Sequence, residues 1–272
     1  MSCRIISTAS EMKLLTQGHK SVDIGFIPTM GALHEGHLTL IKQAQKKDSV
    51  IVVSIFVNPT QFNNPKDFAA YPHRVAEDIK KLELLGVDYV FLPSAEEIYP
   101  HGYQYKVHED TDSKGLCGDT RPGHFDGVLT VLIKLFHIVQ PTRVYMGLKD
   151  YQQWRLVKGM VKDLFMDIDV VGVPTVRTKE GLALSSRNLN LNAEQLAIAT
   201  QFAQILNQPQ KNLESIKKEL EALNIKIDYL EERWGRRFAA VFVGDVRLID
   251  NVSLNEDRTE SRDGRLHVES AL

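Results

Sequence analysis

His34 and His37 stand three positions apart in the segment Pro28-Thr29-Met30-Gly31-Ala32-Leu33-His34-Glu35-Gly36-His37. A strand-like apolar run precedes this segment and a helix-like run follows it. A glycine-bearing turn from strand to helix lets backbone approach an anion, and the helix N-terminus adds free N–H groups and positive dipole. Both imidazoles can then face one phosphate. A single histidine here would read as a cap or a core residue; the pair beside glycines at a strand end points to the anion. Zinc also uses His-x-x-His spacing, but no third ligand lies nearby in the sequence.

Three further constellations follow predicted strands. In SIFVNPTQF, Asn58 and Gln61 are neutral groups that can orient a carboxylate or hydroxyl, although Asn-Pro also opens ordinary turns. Gly147-Leu148-Lys149-Asp150-Tyr151-Gln152-Gln153 offers Lys149 as a point charge for a phosphate, with Asp150 as helix cap and Gln153 facing the same cleft. Leu184-Ser185-Ser186-Arg187 joins small hydroxyls to a guanidinium that can clamp a phosphate in bidentate fashion. Arg187 is expected to find its partner only when nucleotide is bound, so the loop 179–188 should order with ligand.

These groups must be held by a scaffold, and the hydrophobic pattern describes one. Val50–Val57 is a nearly continuous β-branched run, as a strand covered on both faces requires. Ile24–Pro28, Asp88–Leu92, Arg143–Met146 and Ile168–Val173 also read as strands, with helices over 36–47, 75–85, 128–139 and 150–164. Strands alternating with helices imply βαβ units and a parallel sheet, whose ligands sit at the carboxyl ends of the strands. Beyond residue 185 the pattern changes to helices over 193–206 and 213–223 and short strands over 225–230, 239–243 and 246–249, with a turn at Gly244-Asp245. The fold class is therefore α/β, with a first domain over 1–184, a small α+β domain over 185–254 and a frayed polar tail over 255–272.

Composition narrows the function. The chain has 272 residues, 43% hydrophobic and 25% charged, with 33 basic against 35 acidic side chains. That composition is globular, and a net charge of −2 gives no overall basic field for a nucleic-acid backbone. Cys3 and Cys117 lack CxxC spacing, and no apolar run approaches the ~20 residues that cross a bilayer. A cytoplasmic protein without nucleic-acid or membrane partners is expected.

The pairing of His-x-x-His with a Ser-Ser-Arg loop resembles the adenylyl-transferring Rossmann group that includes class I aminoacyl-tRNA synthetases. More closely, PTMGALHEGH, SIFVNPTQF, RPGHFDGVLTVLIKLF, GLKDYQQ, VGVPTVR and GLALSSRN are similar to the pantothenate synthetase (pantoate–β-alanine ligase) family, with a weaker echo in FVGDVRLIDN at 242–251. The resemblance implies a Rossmann-like sheet of the nucleotidylyltransferase type with a smaller C-terminal α+β domain that closes over the site. It implies condensation of (R)-pantoate with β-alanine through a pantoyl adenylate, with ATP and Mg2+, in a homodimer. Carried over by position, Met30, Gly31, Ala32, Leu33, His34, Glu35, Gly36 and His37 belong to the ATP site, with His37 as general acid. Gly147, Leu148, Lys149, Asp150, Val176, Leu184, Ser185, Ser186 and Arg187 complete it. His34, Lys149 and Arg187 join His37 as catalytic candidates. Gln61, Gln153 and Asn58 are the substrate-binding candidates, and Glu77 and Asp78 are candidates for water-mediated metal contact. Leu148 stands where the family often has Glu, and His73 and Asp126 where it commonly has Arg.

Two other readings share the nucleotide site. A nucleotidylyltransferase would keep the adenylyl group on its product, and a regulatory module would bind nucleotide without turnover. A tRNA synthetase is disfavoured because no basic anticodon-reading domain follows the sheet.

Overall fold

The computed structural model describes residues 3–19, 21–254 and 267–268. Six parallel strands form the main sheet: β1 (Arg4–Ile6), β2 (Ile24–Thr29), β3 (Val50–Ile55), β4 (Tyr89–Phe91), β5 (Arg143–Gly147) and β6 (Asp169–Val173). Their spatial order is β1-β4-β3-β2-β5-β6. The chain moves outward from β2 through β3 to β4, then returns to lay β5 against the other side of β2. The order therefore reverses between β2 and β5, and a crevice at the carboxyl ends of those two strands is where such a sheet binds ligands.

The helices of this half are α1 (Ala9–Gln17), α2 (Glu35–Ala44), α3 (Pro65–Ala69), α4 (Val75–Leu84), α5 (Ala95–Ile98), α6 (Cys117–Thr120), α7 (His124–Val139) and α8 (Tyr151–Asp163). All six residues of β3 are buried because both sheet faces are covered. On one face Phe26, Val52, Phe91 and Val144 pack with Leu129, Leu132 and Phe136 of α7 and Val157 of α8. On the other, Ile27, Val53 and Tyr145 pack with Leu40 and Ile41 of α2 and Leu82 of α4. β1 is only three residues, Arg4-Ile5-Ile6, with Ile6 alone buried, too short a pattern to mark a strand in the sequence.

A two-residue strand, β7 (Arg177–Thr178), leads to α9 (Ala193–Leu206), α10 (Leu213–Ala222) and an antiparallel sheet of β8 (Lys226–Arg233), β9 (Arg236–Val243) and β10 (Val246–Ser253). Its core is separate: Phe202, Leu206, Ile216 and Leu220 cover Ala239, Val241 and Leu248. β8 and β10 run farther than their apolar stretches, because hairpin pairing carries polar residues with it. Glu231, Glu232 and Arg233 lie opposite Phe238, Arg237 and Arg236. Trp234 and Gly235 make the first hairpin turn, both with positive φ (52° and 68°), the backbone that the twist of a two-residue hairpin requires. Gly244 makes the second turn with φ 59°.

Of the segment 255–272 expected to fray, only His267–Val268 is described, paired in parallel with β7; the rest lies outside the described residues. Among the described residues no helix is long and apolar enough to cross a membrane.

Candidate active site

A cavity of about 240 Å³ opens at the carboxyl ends of β2, β3 and β5. It is lined by Met30, His34, Gly36 and His37 after β2, by Asn58 and Gln61 after β3, and by Gly147, Lys149, Asp150 and Gln153 after β5. Val176, Leu184, Ser185, Ser186 and Arg187 close the opposite side. The separate sequence constellations thus share one cleft.

The histidine pair is fixed by the start of α2. The Gly36 N–H donates to Nδ1 of His34 at 3.1 Å, and the His34 N–H donates to Nδ1 of His37 at 3.3 Å. This is a reciprocal capping arrangement built from imidazoles. A Cβ on residue 36 would stand 2.7 Å from Cε1 of His34, so Gly36 makes room for the capping ring. Because each Nδ1 accepts, each neutral ring carries its proton on Nε2. The rings lie 4.1 Å apart, centre to centre. Burial lowers His34 to about 2, with His37 and Lys149 adding to the effect, and lowers His37 to about 4 against the opposing pull of Asp150.

Several of the expected site residues stand outside the cavity lining. Gly31, Ala32 and Leu33 do not line the cavity. Gly31 (φ 82°) and Ala32 (φ 50°) adopt left-handed backbone, and the resulting turn presents its N–H groups to a protein carboxylate. The Ala32 N–H donates to Asp78 at 2.7 Å and the Leu33 N–H at 2.8 Å. The anion that this turn receives is thus Asp78, a fully buried side chain with each oxygen accepting a backbone N–H. Glu77 pairs with Arg74 at 3.3 Å on the exposed side of α4, and Glu35 pairs with Lys42 at 3.5 Å. Leu148 points away from the cavity and packs over Gly172, where a Cβ would stand 2.6 Å from its Cδ2. An apolar side chain at 148 is therefore a packing choice. Asp150 makes no side-chain cap for α8; its carboxylate lies 3.7 Å from Lys149.

Asn58 lines the cavity but is spent on structure. Its carbonyl accepts from the Tyr99 hydroxyl at 2.8 Å and the Thr60 hydroxyl at 3.0 Å. Its amide donates to the Gly127 carbonyl at 3.1 Å and to Oε1 of Gln61 at 3.0 Å. Asn58 thereby aims Gln61, whose own amide is left to face Met30 Sδ at 3.1 Å and the cavity. Gln153 has no side-chain partner among the described residues.

In the loop after β7, the Ser185 hydroxyl accepts from the Arg187 N–H at 3.3 Å, and Ser186 meets the Tyr71 hydroxyl at 3.4 Å. Arg187 is not unpartnered without nucleotide: its guanidinium pairs with Asp67 of α3 at 3.0 Å. The Val176 carbonyl accepts from the Leu184 N–H at 2.9 Å, which holds the two ends of this loop together.

Other residues of the site were not singled out from sequence. Asn251, inside the FVGDVRLIDN echo, donates to the carbonyls of Leu148 and Lys149 at 3.0 and 2.9 Å and so ties the small sheet to the Lys149 turn. Tyr71, Arg121 and His124 line the cavity. Arg121 and His124 fall within the motif RPGHFDGV, the signal that points to them. Among the described residues no cluster of three or more acidic, histidine or cysteine side chains is arranged to hold a metal.

The model of the pantoate-beta-alanine ligase family matches residues 4–253. Pantothenate synthetase of Legionella pneumophila (strain Lens) is 53% identical over 233 residues, 86% of this chain and 92% of that protein. Pantothenate synthetase of Fervidobacterium nodosum is 46% identical over 278 residues, covering 93% and 99%. The crystal structure of the Francisella tularensis pantoate-beta-alanine ligase, complexed with beta-gamma ATP and beta-alanine, superposes with a TM-score of 0.89 at 42% identity, covering 93% of this chain and 98% of that one. The matched span takes in every strand of both sheets through β10 and every constellation in the cavity, and the chain belongs to the pantoate–β-alanine ligase family.

Proposed function

We propose that this cavity joins pantoate to β-alanine in two steps through a pantoyl adenylate, with ATP cleaved to AMP and pyrophosphate. The observation that carries this reading is the gathering of two kinds of group in one cleft. Phosphate donors (His34, His37, Lys149, Arg187) lie beside carboxamides suited to a hydroxy acid (Gln61, Gln153).

A carboxylate carbon is a poor electrophile, so activation must precede amide formation. The pantoate carboxylate attacks the α-phosphorus of ATP and pyrophosphate leaves. The β-alanine amine then attacks the acyl carbon, the bond to the phosphate oxygen breaks, and AMP and a proton depart. The protein contributes position and charge neutralisation. Gln61 and Gln153 hold pantoate. Lys149 and Arg187 spread the phosphate charge, and Ser185 and Ser186 supply hydroxyls. His34 and His37 donate from Nε2–H as neutral rings. His37, the general acid in the family resemblance, presents its Nε2–H to the phosphates while its Nδ1 accepts from the His34 N–H.

Magnesium enters with the triphosphate as part of the substrate, neutralising charge on its oxygens. A nucleotide-bound Mg2+ needs only one or two protein carboxylates. Asp150 is the carboxylate in the lining and is the residue of this chain that fits it. A cytoplasmic homodimer is the form that the family resemblance implies.

The test is ATP turnover with each substrate omitted in turn. AMP should require pantoate, and removal of magnesium by chelation should stop the reaction. AMP formed equally well without pantoate would overturn the reading.

A further inference from the structure

The peptide unit between Leu33 and His34 is gripped at both ends. Its N–H, on His34, donates to Nδ1 of His37 at 3.3 Å. Its carbonyl, on Leu33, accepts from Nζ of Lys81 at 2.6 Å. Lys81 stands three residues after Asp78 in α4, so both side chains leave one face of that helix. Asp78 takes the N–H groups of Ala32 and Leu33, and Lys81 takes the carbonyl that follows. α4 thereby holds the turn that carries the histidines by its donors and by its acceptor. The turn requires such a hold, because Ala32 keeps left-handed backbone at φ 50° without being glycine.

Lys81 is half-buried and stands outside the residues that line the cavity. An ammonium on a carbonyl draws charge from the amide and makes its N–H a stronger donor. The N–H strengthened here is the one that occupies Nδ1 of His37, and a neutral ring whose Nδ1 accepts carries its proton on Nε2. Burial keeps that ring neutral; Asp150 opposes the effect, and the charges of Lys149 and Lys81 support it. Resting on the ligase reading above, we infer that Lys81 is a positioning residue for the adenylation step, acting on His37 through the Leu33–His34 peptide. It fixes the tautomer of His37 and the aim of the Nε2–H that meets the phosphates, and it touches no substrate.

Lys81→Met removes the ammonium and keeps an apolar stem. Single-turnover, pantoate-dependent pyrophosphate release should fall about 10-fold, less than removal of the His37 donor itself costs. KM for ATP and for pantoate should stay within about 3-fold of the parent. In a His37→Ala background the same change should cost no more than about 2-fold, because the group it acts through is gone. Nitrogen-15 spectra of the unliganded protein at neutral pH should show Nδ1 of His37 as an acceptor in the parent and both ring nitrogens averaged between tautomers in Lys81→Met. Lys81→Arg, which restores a cationic donor, should recover the parent spectrum and the rate to within about 3-fold. An unchanged rate in Lys81→Met would overturn the inference. So would a slower reaction with the parent spectrum, and a raised ATP KM with that spectrum would make Lys81 a phosphate ligand. If Lys81→Met does not fold, Lys81→Gln takes its place with the same expectations; failure of both to fold would make Lys81 a structural residue and overturn the inference. Absence of pantoate-dependent pyrophosphate release from the parent would defeat the ligase reading itself, an outcome that leaves the His37 spectrum as the separate test of Lys81.

Discussion

His34 and His37 cap the same helix with the same ring atom: the Gly36 N–H donates to Nδ1 of His34, and the His34 N–H donates to Nδ1 of His37. Both rings are thereby locked in the tautomer that carries hydrogen on Nε2. Replacing either removes a preorganised donor, and His37→Ala or His34→Ala should slow adenylation by about 10²–10³, as loss of one such transition-state donor does. Single-turnover pyrophosphate release measures this; a wild-type rate in either variant would contradict the phosphate-facing role.

The same burial sets a pH dependence of folding. His37 is lowered to about 4 and His124 to about 3 from an unfolded value near 6.5. Between those limits the unfolded chain binds more protons, so stability rises with pH there. It is fully present above about 6.5 and is lost as pH falls toward 4. Thermal unfolding between pH 4.5 and 7 should show this slope in the unliganded protein, and His124→Asn should make it shallower. A flat Tm over that range would contradict the neutral, buried assignment.

Asn58 and Gln61 touch, yet their substitutions should differ in kind. Asn58 is 1% exposed and satisfies groups on Tyr99, Thr60, Gly127 and Gln61. Asn58→Ala should cost about 1–3 kcal/mol of stability, as buried partners are orphaned. Gln61→Ala and Gln153→Ala should leave Tm nearly unchanged and raise the pantoate KM while ATP affinity holds. Calorimetry beside substrate titrations separates the cases, and equal loss of ATP and pantoate affinity would return the glutamines to a structural role.

Nucleotide must compete with Asp67 for Arg187. Their pair is partly exposed, 29% and 40% at the side chains, and such pairs contribute roughly 0–1 kcal/mol. Asp67→Asn should therefore lower the ATP KM by up to about 5-fold, whereas Arg187→Ala should raise it. ATP with magnesium should protect amides of 185–188 from hydrogen exchange in the parent and much less in Arg187→Ala. A higher ATP KM in Asp67→Asn would show the pair to be supportive rather than competing.

What was legible in the sequence is what short-range pattern encodes. β3 is a β-branched run, the histidine turn follows directly on β2, and a parallel sheet delivers its strand-end residues to one edge, so the cleft follows from the topology. Contacts between distant segments were not legible. Asp78 reaches Ala32 across 46 positions, and only that contact reveals that the turn at Gly31–Leu33 donates its N–H groups to a protein carboxylate. Arg121 sits just beyond the short helix α6, in a stretch without sustained periodicity, and its hydrogen bonds run to His124 and to Gln61, 60 positions away. Asn58 and Gln61 look alike as residue types; burial and its four protein partners make Asn58 a support, while Gln61 lines the cavity with its amide against Met30 Sδ.

The adenylate step can be followed with oxygen isotope. Pantoate labelled with ¹⁸O in its carboxylate, turned over with ATP and β-alanine, should pass one ¹⁸O to the phosphate of AMP, because the acyl C–O bond breaks when the amine attacks. AMP without label, or ADP and phosphate as the nucleotide products, would contradict the pantoyl-adenylate route.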